Sequence, residues 1–96
     1  MSYFVYILAN KPHGAIYVGS ARNMRNRLEQ HRAGVPGSHT GRYNIKTLVY
    51  FERHDQVFEA IERERRLKRW RRAWKDKLIE EFNPAWTDMS MFIPFD

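Results

Sequence analysis

Residues 3–31 read YFVYILANKPHGAIYVGSARNMRNRLEQH. Two short β-type runs, residues 3–8 and 15–19, flank a turn-forming segment at 10–14, and an amphipathic helical pattern follows. This order predicts a β-hairpin that leads into a helix. Because the first run has no polar face, we expect it to form a central strand that is covered on both sides.

Each β-type run contains a tyrosine among aliphatic residues, Tyr6 in the first and Tyr17 in the second. Buried phenols need hydrogen-bond partners for their hydroxyl groups. If the two runs pair, residues that face each other on one side of the sheet lie about 5 Å apart, so the two phenols can share one pocket. Gly19 ends the second run, and its lack of a side chain would let another backbone or a ligand phosphate approach closely.

The predicted helix, from about Asn23 to Ala33, carries Arg27 and His31 one turn apart. At about 100° per residue, His31 shares a stripe with the apolar residues of the helix, and Arg27 lies at the margin of that stripe. We therefore expect both side chains near the core, where they can meet the two tyrosines.

The size and composition of the chain limit its class. Its 96 residues fit one domain, and the absence of cysteine excludes disulfides and thiolate metal sites, so that a metal would need oxygen or imidazole ligands. A net charge of +6 favours a polyanionic partner. The N-terminal apolar run is too short to span a bilayer and has no basic leader, which predicts a cytoplasmic protein with no membrane partner.

The second half of the chain predicts one more strand and two more helices. Residues 34–42 form a glycine-rich loop that suits a ligand-contacting lid, and a third strand follows at 47–53. Asp55 is a candidate cap for a helix that continues to about Trp70. A last helix, about 73–82, would bury an apolar face and end before Pro84. Members of that buried face are Trp74, Leu78, Ile79 and Phe82.

Glu64 is an acid in an unexpected place. Helical spacing puts it on an apolar stripe, whereas Glu59 and Glu62 point to the opposite side. The other members of that stripe are Val57, Ala60, Ile61, Leu67 and Lys68. A carboxylate facing a core costs several kcal/mol unless it is paired, protonated or bound to metal. Two interpretations stay open, an ion pair with Lys68 or a metal or catalytic role.

Residues 63–77, RERRLKRWRRAWKDK, form a basic run that contains two tryptophans. The run is either a solvated helical face with its tryptophans packed inward or a surface that contacts phosphates. Its large excess of positive charge is too one-sided for stabilisation by internal ion pairs and favours the second interpretation. The candidate nucleic-acid contacts are Arg25, Arg42, Lys68, Arg69, Arg71 and Arg72. The tail, residues 84–96, either packs on the domain or mediates self-association, which leaves a monomer or a weak homodimer.

Five motifs now combine, and each matches a motif of one family: Val5-Tyr6-Ile7, Tyr17-Val18-Gly19, residues 27–31, residues 60–68 and Asn83-Pro84. In their order and spacing they make the chain resemble the GIY-YIG nuclease superfamily, and within it the small stand-alone, UPF0213-like members. One residue departs from the pattern, since Val5 stands where the family has its first glycine.

The resemblance implies an α/β (α+β) domain over residues 1–83, with a three-stranded antiparallel sheet flanked by helices. It also implies that the protein hydrolyses phosphodiester bonds with one divalent cation. By this resemblance, Glu64 would ligate Mg²⁺ or Mn²⁺. The sequence had already distinguished Glu64 from the other acids of its helix.

The resemblance also assigns roles to five other residues. Tyr17 would be the leading candidate to activate water, and Tyr6 would support the base or orient the water. Arg27 would hold the scissile phosphate, and His31 would assist proton transfer or contact the phosphate. Asn83 would fix the acid end of the site. Without the family, these residues have ordinary interpretations as core tyrosines, a surface ion pair, a core histidine and a helix-ending asparagine.

These observations predict a metal-dependent endonuclease that acts on DNA, in particular structured or damaged DNA, with a role in DNA repair. RNA is not excluded as a substrate. The alternatives are a nucleic-acid-binding module that has lost turnover and an interaction domain that contributes its basic face to a larger complex.

Overall fold

The computed structural model describes residues 2–33 and 43–94; the predicted loop at 34–42, with Arg42, lies outside them. The predicted α+β architecture is confirmed. The elements are β1 (Tyr3–Ala9), β2 (Ile16–Ala21), α1 (Met24–Ala33), β3 (Thr47–His54), α2 (Val57–Arg69), α3 (Arg72–Phe82) and a 3-10 helix (Ser90–Phe92). None of the helices in the described ranges is long and apolar enough to cross a membrane.

The three strands form one antiparallel sheet in the order β2-β1-β3. From Phe4 to Ala9 every residue of β1 is buried, as expected for a central strand without a polar face. The hairpin turn between β1 and β2 is closed by Asn10, whose backbone N–H donates to the Ala15 carbonyl at 3.1 Å and whose side chain accepts from the Ala15 N–H at 2.9 Å.

The two faces of the sheet hold separate cores because successive side chains of a strand point to opposite sides. On one face, Val5 and Ile7 pack with Ala60 and Leu67 of α2 and with Ile79 of α3. On the other face, Phe4, Tyr6 and Leu8 of β1 pack against two buried residues of α1, which are Met24 and Leu28. The sheet therefore separates α1 from α2.

Two predicted element ends were wrong. The second strand continues past Gly19 to Ala21, because these residues still pair with β1. Helix α2 begins at Val57, and its N-cap position is occupied by Gln56 rather than Asp55. The Gln56 side chain forms no capping hydrogen bond. Asn23, in contrast, caps α1 through its side-chain oxygen, which accepts the Asn26 N–H at 3.0 Å.

The predicted apolar stripe of α2 was too wide. Ala60 and Leu67 are fully buried, whereas Val57 and Ile61 are 40% and 38% exposed. The reason is geometric, since a helix on a sheet buries only the residues along its line of contact. The same holds for α3, where Ile79 is buried but Trp74 and Phe82, predicted to be buried, are exposed; Leu78 is only partly buried.

Residues 84–94 pack on the domain and run from one face of the sheet to the other. Trp86 is buried in the core on the α2 side, and Ile93 is buried in the core on the α1 side. Between them, the Met89 N–H donates to the Leu48 carbonyl of β3 at 2.8 Å. This segment therefore covers part of the outer edge of β3.

Candidate active site

The two tyrosines of the hairpin lie on the same face of the sheet. Tyr6 pairs with Gly19, and Tyr17 lies two residues before Gly19 on β2, so the phenols are diagonal neighbours. Their ring centroids are 6.4 Å apart. The structure thus brings Tyr6 and Tyr17 together. The group that packs most closely against Gly19 is the Tyr6 phenol.

His31 joins the two tyrosines from α1. Its Nε2 atom lies 3.0 Å from the Tyr6 hydroxyl, and its ring centroid lies 5.9 Å from that of Tyr6 and 5.2 Å from that of Tyr17. Met24 and Leu28, which are buried, hold α1 against this face of the sheet and so fix the position of the imidazole. The three rings form one cluster, which we call the Tyr-Tyr-His cluster.

The environment keeps Tyr6 and His31 uncharged at neutral pH. Burial, followed by the charge of Tyr17, raises the pKa of Tyr6 well above its usual value, although a hydrogen bond and the charge of Arg27 oppose this. Burial, followed by the charge of Arg27, lowers the pKa of His31 below its usual 6.5. Tyr6 therefore keeps its hydroxyl proton, and His31 is a neutral imidazole with one N–H donor and one acceptor nitrogen.

Arg27 lies at the surface of α1, so the expectation that it would lie near the core was wrong. Its long side chain nevertheless lies close enough to the cluster for its charge to act on the pKa values of Tyr6, His31 and Glu64. An exposed cation beside a neutral cluster can receive an anion from solvent.

Glu64 approaches the cluster from the other side of the sheet. Its Oε1 atom accepts a hydrogen bond from the Ser20 hydroxyl, and its Oε2 atom lies 2.5 Å from Lys68 Nζ. Ser20 follows Gly19 on the edge strand β2 and points to the opposite face, so Glu64 and the Tyr6 phenol lie on opposite faces of the sheet beside this strand. The negative charge of Glu64 contributes to the raised pKa of Tyr6, which makes the two groups electrostatic neighbours.

Glu64 is ionised at neutral pH. Burial acts to raise its pKa, but hydrogen bonds from Lys68 and Ser20 and the charges of Lys68 and Arg27 outweigh burial and lower it. In the described part of the chain, no three histidine or acidic residues cluster as a metal site. A single ionised carboxylate, 21% exposed, still fits a Mg²⁺ ion that keeps most of its water ligands.

The side chain of Asn83 forms its hydrogen bonds away from the Tyr-Tyr-His cluster. Its side-chain amide donates to the carbonyls of Val49 at 3.1 Å and Thr87 at 2.8 Å, and its oxygen accepts from the Thr87 N–H and hydroxyl. Both donor hydrogens are used, and neither goes to the Tyr-Tyr-His cluster or to Glu64. These contacts fit the interpretation of a helix-ending asparagine that ties the C-terminal segment to β3.

The predicted nucleic-acid contacts divide into two groups. Arg25 donates to the Ile93 carbonyl at 2.6 Å, and Arg72 binds Asp76 at 2.7 Å and the Gly14 carbonyl, so these two guanidinium groups have partners within the fold. Lys68, Arg69 and Arg71 are exposed on α2 and just beyond it, and among them Lys68 is paired with Glu64.

Ser20 is the site residue that sequence reasoning missed. The signal was present, because two-residue alternation along β2 sends Ser20 to the side opposite Tyr17 and Gly19. What the sequence lacked was the partner, since Glu64 lies 44 residues further on.

Comparison with known proteins gives three results. Residues 2–77 match the model of the GIY-YIG catalytic domain. UPF0213 protein SAV0488 and UPF0213 protein SA0446, from the Mu50 and N315 strains of Staphylococcus aureus, are each 35% identical over 80 residues, which covers 83% of this chain and 96% of each relative. The solution NMR structure of UPF0213 protein BH0048 from Bacillus halodurans has a similar fold, with a TM-score of 0.57 and 24% identity over 99% of this chain and 100% of that chain.

Proposed function

Since this chain belongs to the GIY-YIG catalytic domain family, whose members are nucleases, we propose that it is a metal-dependent endonuclease of DNA. Membership supports an endonuclease kind of hydrolase with a nucleic-acid substrate. The proposal adds DNA, in structured or damaged form, as the substrate, a role in repair and action in the cytoplasm. The observation that carries it is the Tyr-Tyr-His cluster, which has Arg27 and Glu64 as charged neighbours.

The proposed general base is Tyr17 or His31 rather than Tyr6. A base must lose its proton near the working pH, and the raised pKa of Tyr6 opposes this. Tyr17 is only half-buried, so water can reach its hydroxyl, and its ring lies against the neutral imidazole of His31. If Tyr6 donates its hydroxyl proton to His31 Nε2, this bond uses the single lone pair of the neutral imidazole, and Tyr17 is then the base. His31 is the base in the other tautomer, in which Nε2 donates to the Tyr6 oxygen and Nδ1 carries the lone pair.

Arg27 supplies the proposed phosphate contact. Cleavage of a phosphodiester builds negative charge on the nonbridging oxygens, and a guanidinium fork can bind two of these oxygens at once. Because Arg27 is exposed and already interacts with Tyr6, a phosphate bound there would lie beside the hydroxyl groups of the cluster.

Glu64 is the proposed ligand of Mg²⁺ or Mn²⁺. Its carboxylate is ionised and partly exposed, and Ser20 would keep holding one oxygen while Lys68 moved away from the other. When bound, the ion supplies Lewis-acid stabilisation of the phosphate charge.

A matched pair of variants on α2 tests this proposal. The purified chain is incubated with branched, nicked, single-stranded and duplex DNA, with Mg²⁺ or Mn²⁺ and with EDTA. We expect Glu64→Gln to reduce cleavage at least about 100-fold, since one electrostatic contact of this kind is worth that much in rate. Glu62→Gln changes an exposed acid of the same helix and should leave cleavage unchanged.

Two results would contradict the proposal. Full activity of Glu64→Gln would remove the acid from the mechanism. Absence of cleavage by the unaltered chain on every substrate and with both ions would argue against an enzyme.

A second candidate function is nucleic-acid binding without turnover. One observation favours it, because both oxygens of Glu64 are already engaged, by Ser20 and by Lys68. A binding module predicts an affinity that falls as salt rises, together with no metal-dependent cleavage.

A further inference from the structure

Trp74 is a large aromatic side chain that the fold leaves at the surface. It lies in the first turn of α3 and is 52% exposed. The Trp70 ring meets it edge-on at 6.0 Å, and the guanidinium carbon of Arg71 lies 5.4 Å from its ring centroid. About half of the surface of Trp74 is therefore exposed to solvent, although a tryptophan side chain is usually largely buried in a folded protein.

Arg71 lies against Trp74, and Arg66 and Arg69 are exposed residues of α2. Among residues 2–33 and 43–94, no carboxylate forms an ion pair with Arg66, Arg69 or Arg71. Glu62, an acidic neighbour on the same face of α2, lies 3.5 Å from Arg65. The positive charge of these arginines is therefore available to attract a polyanion.

The arginines of α2 connect Trp74 with the candidate active site. At about 100° per residue, Lys68 lies about 40° around α2 from Glu64. Arg69 and Arg66 follow at about 140° and 200°, and Trp70, which contacts Trp74, at about 240°. The arginines therefore lie on the outer surface of the helix between the tryptophans and Glu64, and Glu62, whose carboxylate pairs with Arg65, lies among them at about 160°.

We propose that Trp74, with Arg66, Arg69 and Arg71, forms a binding site for single-stranded nucleic acid. An unpaired base stacks on the free face of the indole, and the neighbouring phosphates contact the arginines. A duplex hides its base faces within the stack, so it can use the arginines but not Trp74. This inference rests on the proposed nuclease function and specifies its substrate, DNA or RNA with unpaired bases next to the cleavage site.

Binding measured without metal tests this site separately from catalysis. In EDTA, fluorescence anisotropy of labelled oligo-dT and oligo-U is compared with that of a blunt DNA duplex. We expect Trp74→Ala to weaken single-strand binding about 5- to 150-fold, the range for loss of one stacked base, and duplex binding less than about twofold. The better-bound oligonucleotide identifies DNA or RNA as the preferred strand.

Three further variants make the test specific. Trp74→Phe keeps an aromatic face and should retain much of the single-strand affinity. Phe92→Ala removes a different exposed aromatic ring, 61% exposed, and should leave both affinities unchanged. Arg69→Ala should weaken the binding of both the single strand and the duplex. It should also reduce the salt dependence of the affinity by the amount expected for about one phosphate contact.

Equal loss of single-strand and duplex affinity in Trp74→Ala, or no loss, would overturn the stacking site. If the chain binds single strands through Trp74 but cuts nothing, the nuclease proposal fails and the site stands. If it cuts DNA while Trp74→Ala binds single strands normally, the site fails and the nuclease proposal stands.

Discussion

Gly19 on β2 faces Tyr6 on β1, and the missing side chain of Gly19 provides the space that the Tyr6 phenol occupies. A Cβ atom at Gly19 would lie 2.6 Å from the Tyr6 hydroxyl oxygen and 2.9 Å from a ring carbon of Tyr17. Separations below 3 Å require movement, and both neighbours are rigid rings. The glycine therefore positions both phenols of the Tyr-Tyr-His cluster.

Gly19→Ala should displace the cluster. We expect a destabilisation of about 1–3 kcal/mol, the usual cost of overpacking a tight site, and a loss of cleavage larger than the loss of folded protein explains. Chemical denaturation and single-turnover cleavage measure the two effects. Gly14→Ala, which crowds the hairpin turn instead, is the control. Normal cleavage by folded Gly19→Ala would contradict the assigned role of the cluster.

Tyr6→Phe removes one hydroxyl and keeps the ring. Because this hydroxyl bonds His31 Nε2 at 3.0 Å, we expect a stability loss of only about 1 kcal/mol but a rate loss of about 100-fold or more. Cleavage rates and thermal unfolding of the variant check both numbers. Tyr3→Phe, on the other face of the same strand, should affect neither. A rate equal to that of the unaltered chain would show that the hydroxyl is structural.

His31 should make the fold less stable in mild acid. Its pKa is lowered in the folded state, chiefly by burial and then by Arg27, so the unfolded chain binds more protons below the ordinary value of 6.5. The stabilisation is present above that value and is lost as the pH falls through the folded-state pKa. Urea denaturation between about pH 7.5 and pH 5.5 should show a shallower pH dependence for His31→Gln.

Removal of an exposed histidine provides the control for that comparison. His13 lies outside the cluster, with 60% of its side chain exposed. If His31→Gln keeps the full pH dependence of the unaltered chain, His31 is not the group that titrates.

Lys68→Ala should raise the pKa of Glu64. Lys68 lowers that pKa through both its hydrogen bond and its charge, whereas burial, which raises it, would remain. Carbon-detected NMR titration of the Glu64 carboxyl group measures the shift directly. Lys77→Ala removes another cation of the basic run and should leave the titration unchanged. An unmoved Glu64 pKa in Lys68→Ala would mean that the ion pair does not persist in solution.

Asn83→Ala should act on folding rather than on the chemical step. It leaves the Val49 and Thr87 carbonyls without their donor, and we expect a destabilisation of about 2–4 kcal/mol. Thermal unfolding checks this, with Asn26→Ala, an exposed residue of α1, as the control. A large loss of cleavage at an unchanged unfolding midpoint would instead support the position at the acid end that the family resemblance implies.

Local pattern was sufficient to predict the strand-turn-strand-helix order, the central position of β1 and the neighbouring positions of Tyr6 and Tyr17. Side-chain alternation, turn residues and helical periodicity each involve only a few neighbouring positions, so they can be recognised in a single sequence. The same periodicity overestimated burial at Val57, Ile61 and Trp74, because it ranks the faces of a helix but does not locate the neighbouring sheet.

The sequence by itself determined which residue types were available: two strand tyrosines, an arginine and a histidine one helical turn apart, and an acid on a mostly apolar face. Only the tertiary structure decided their partners. Ser20 meets Glu64 across 44 positions, and Asn83 meets Val49 across 34. The physical reason is that such contacts depend on strand register and on how each helix lies on the sheet, which are set by packing of the whole core rather than by any local pattern.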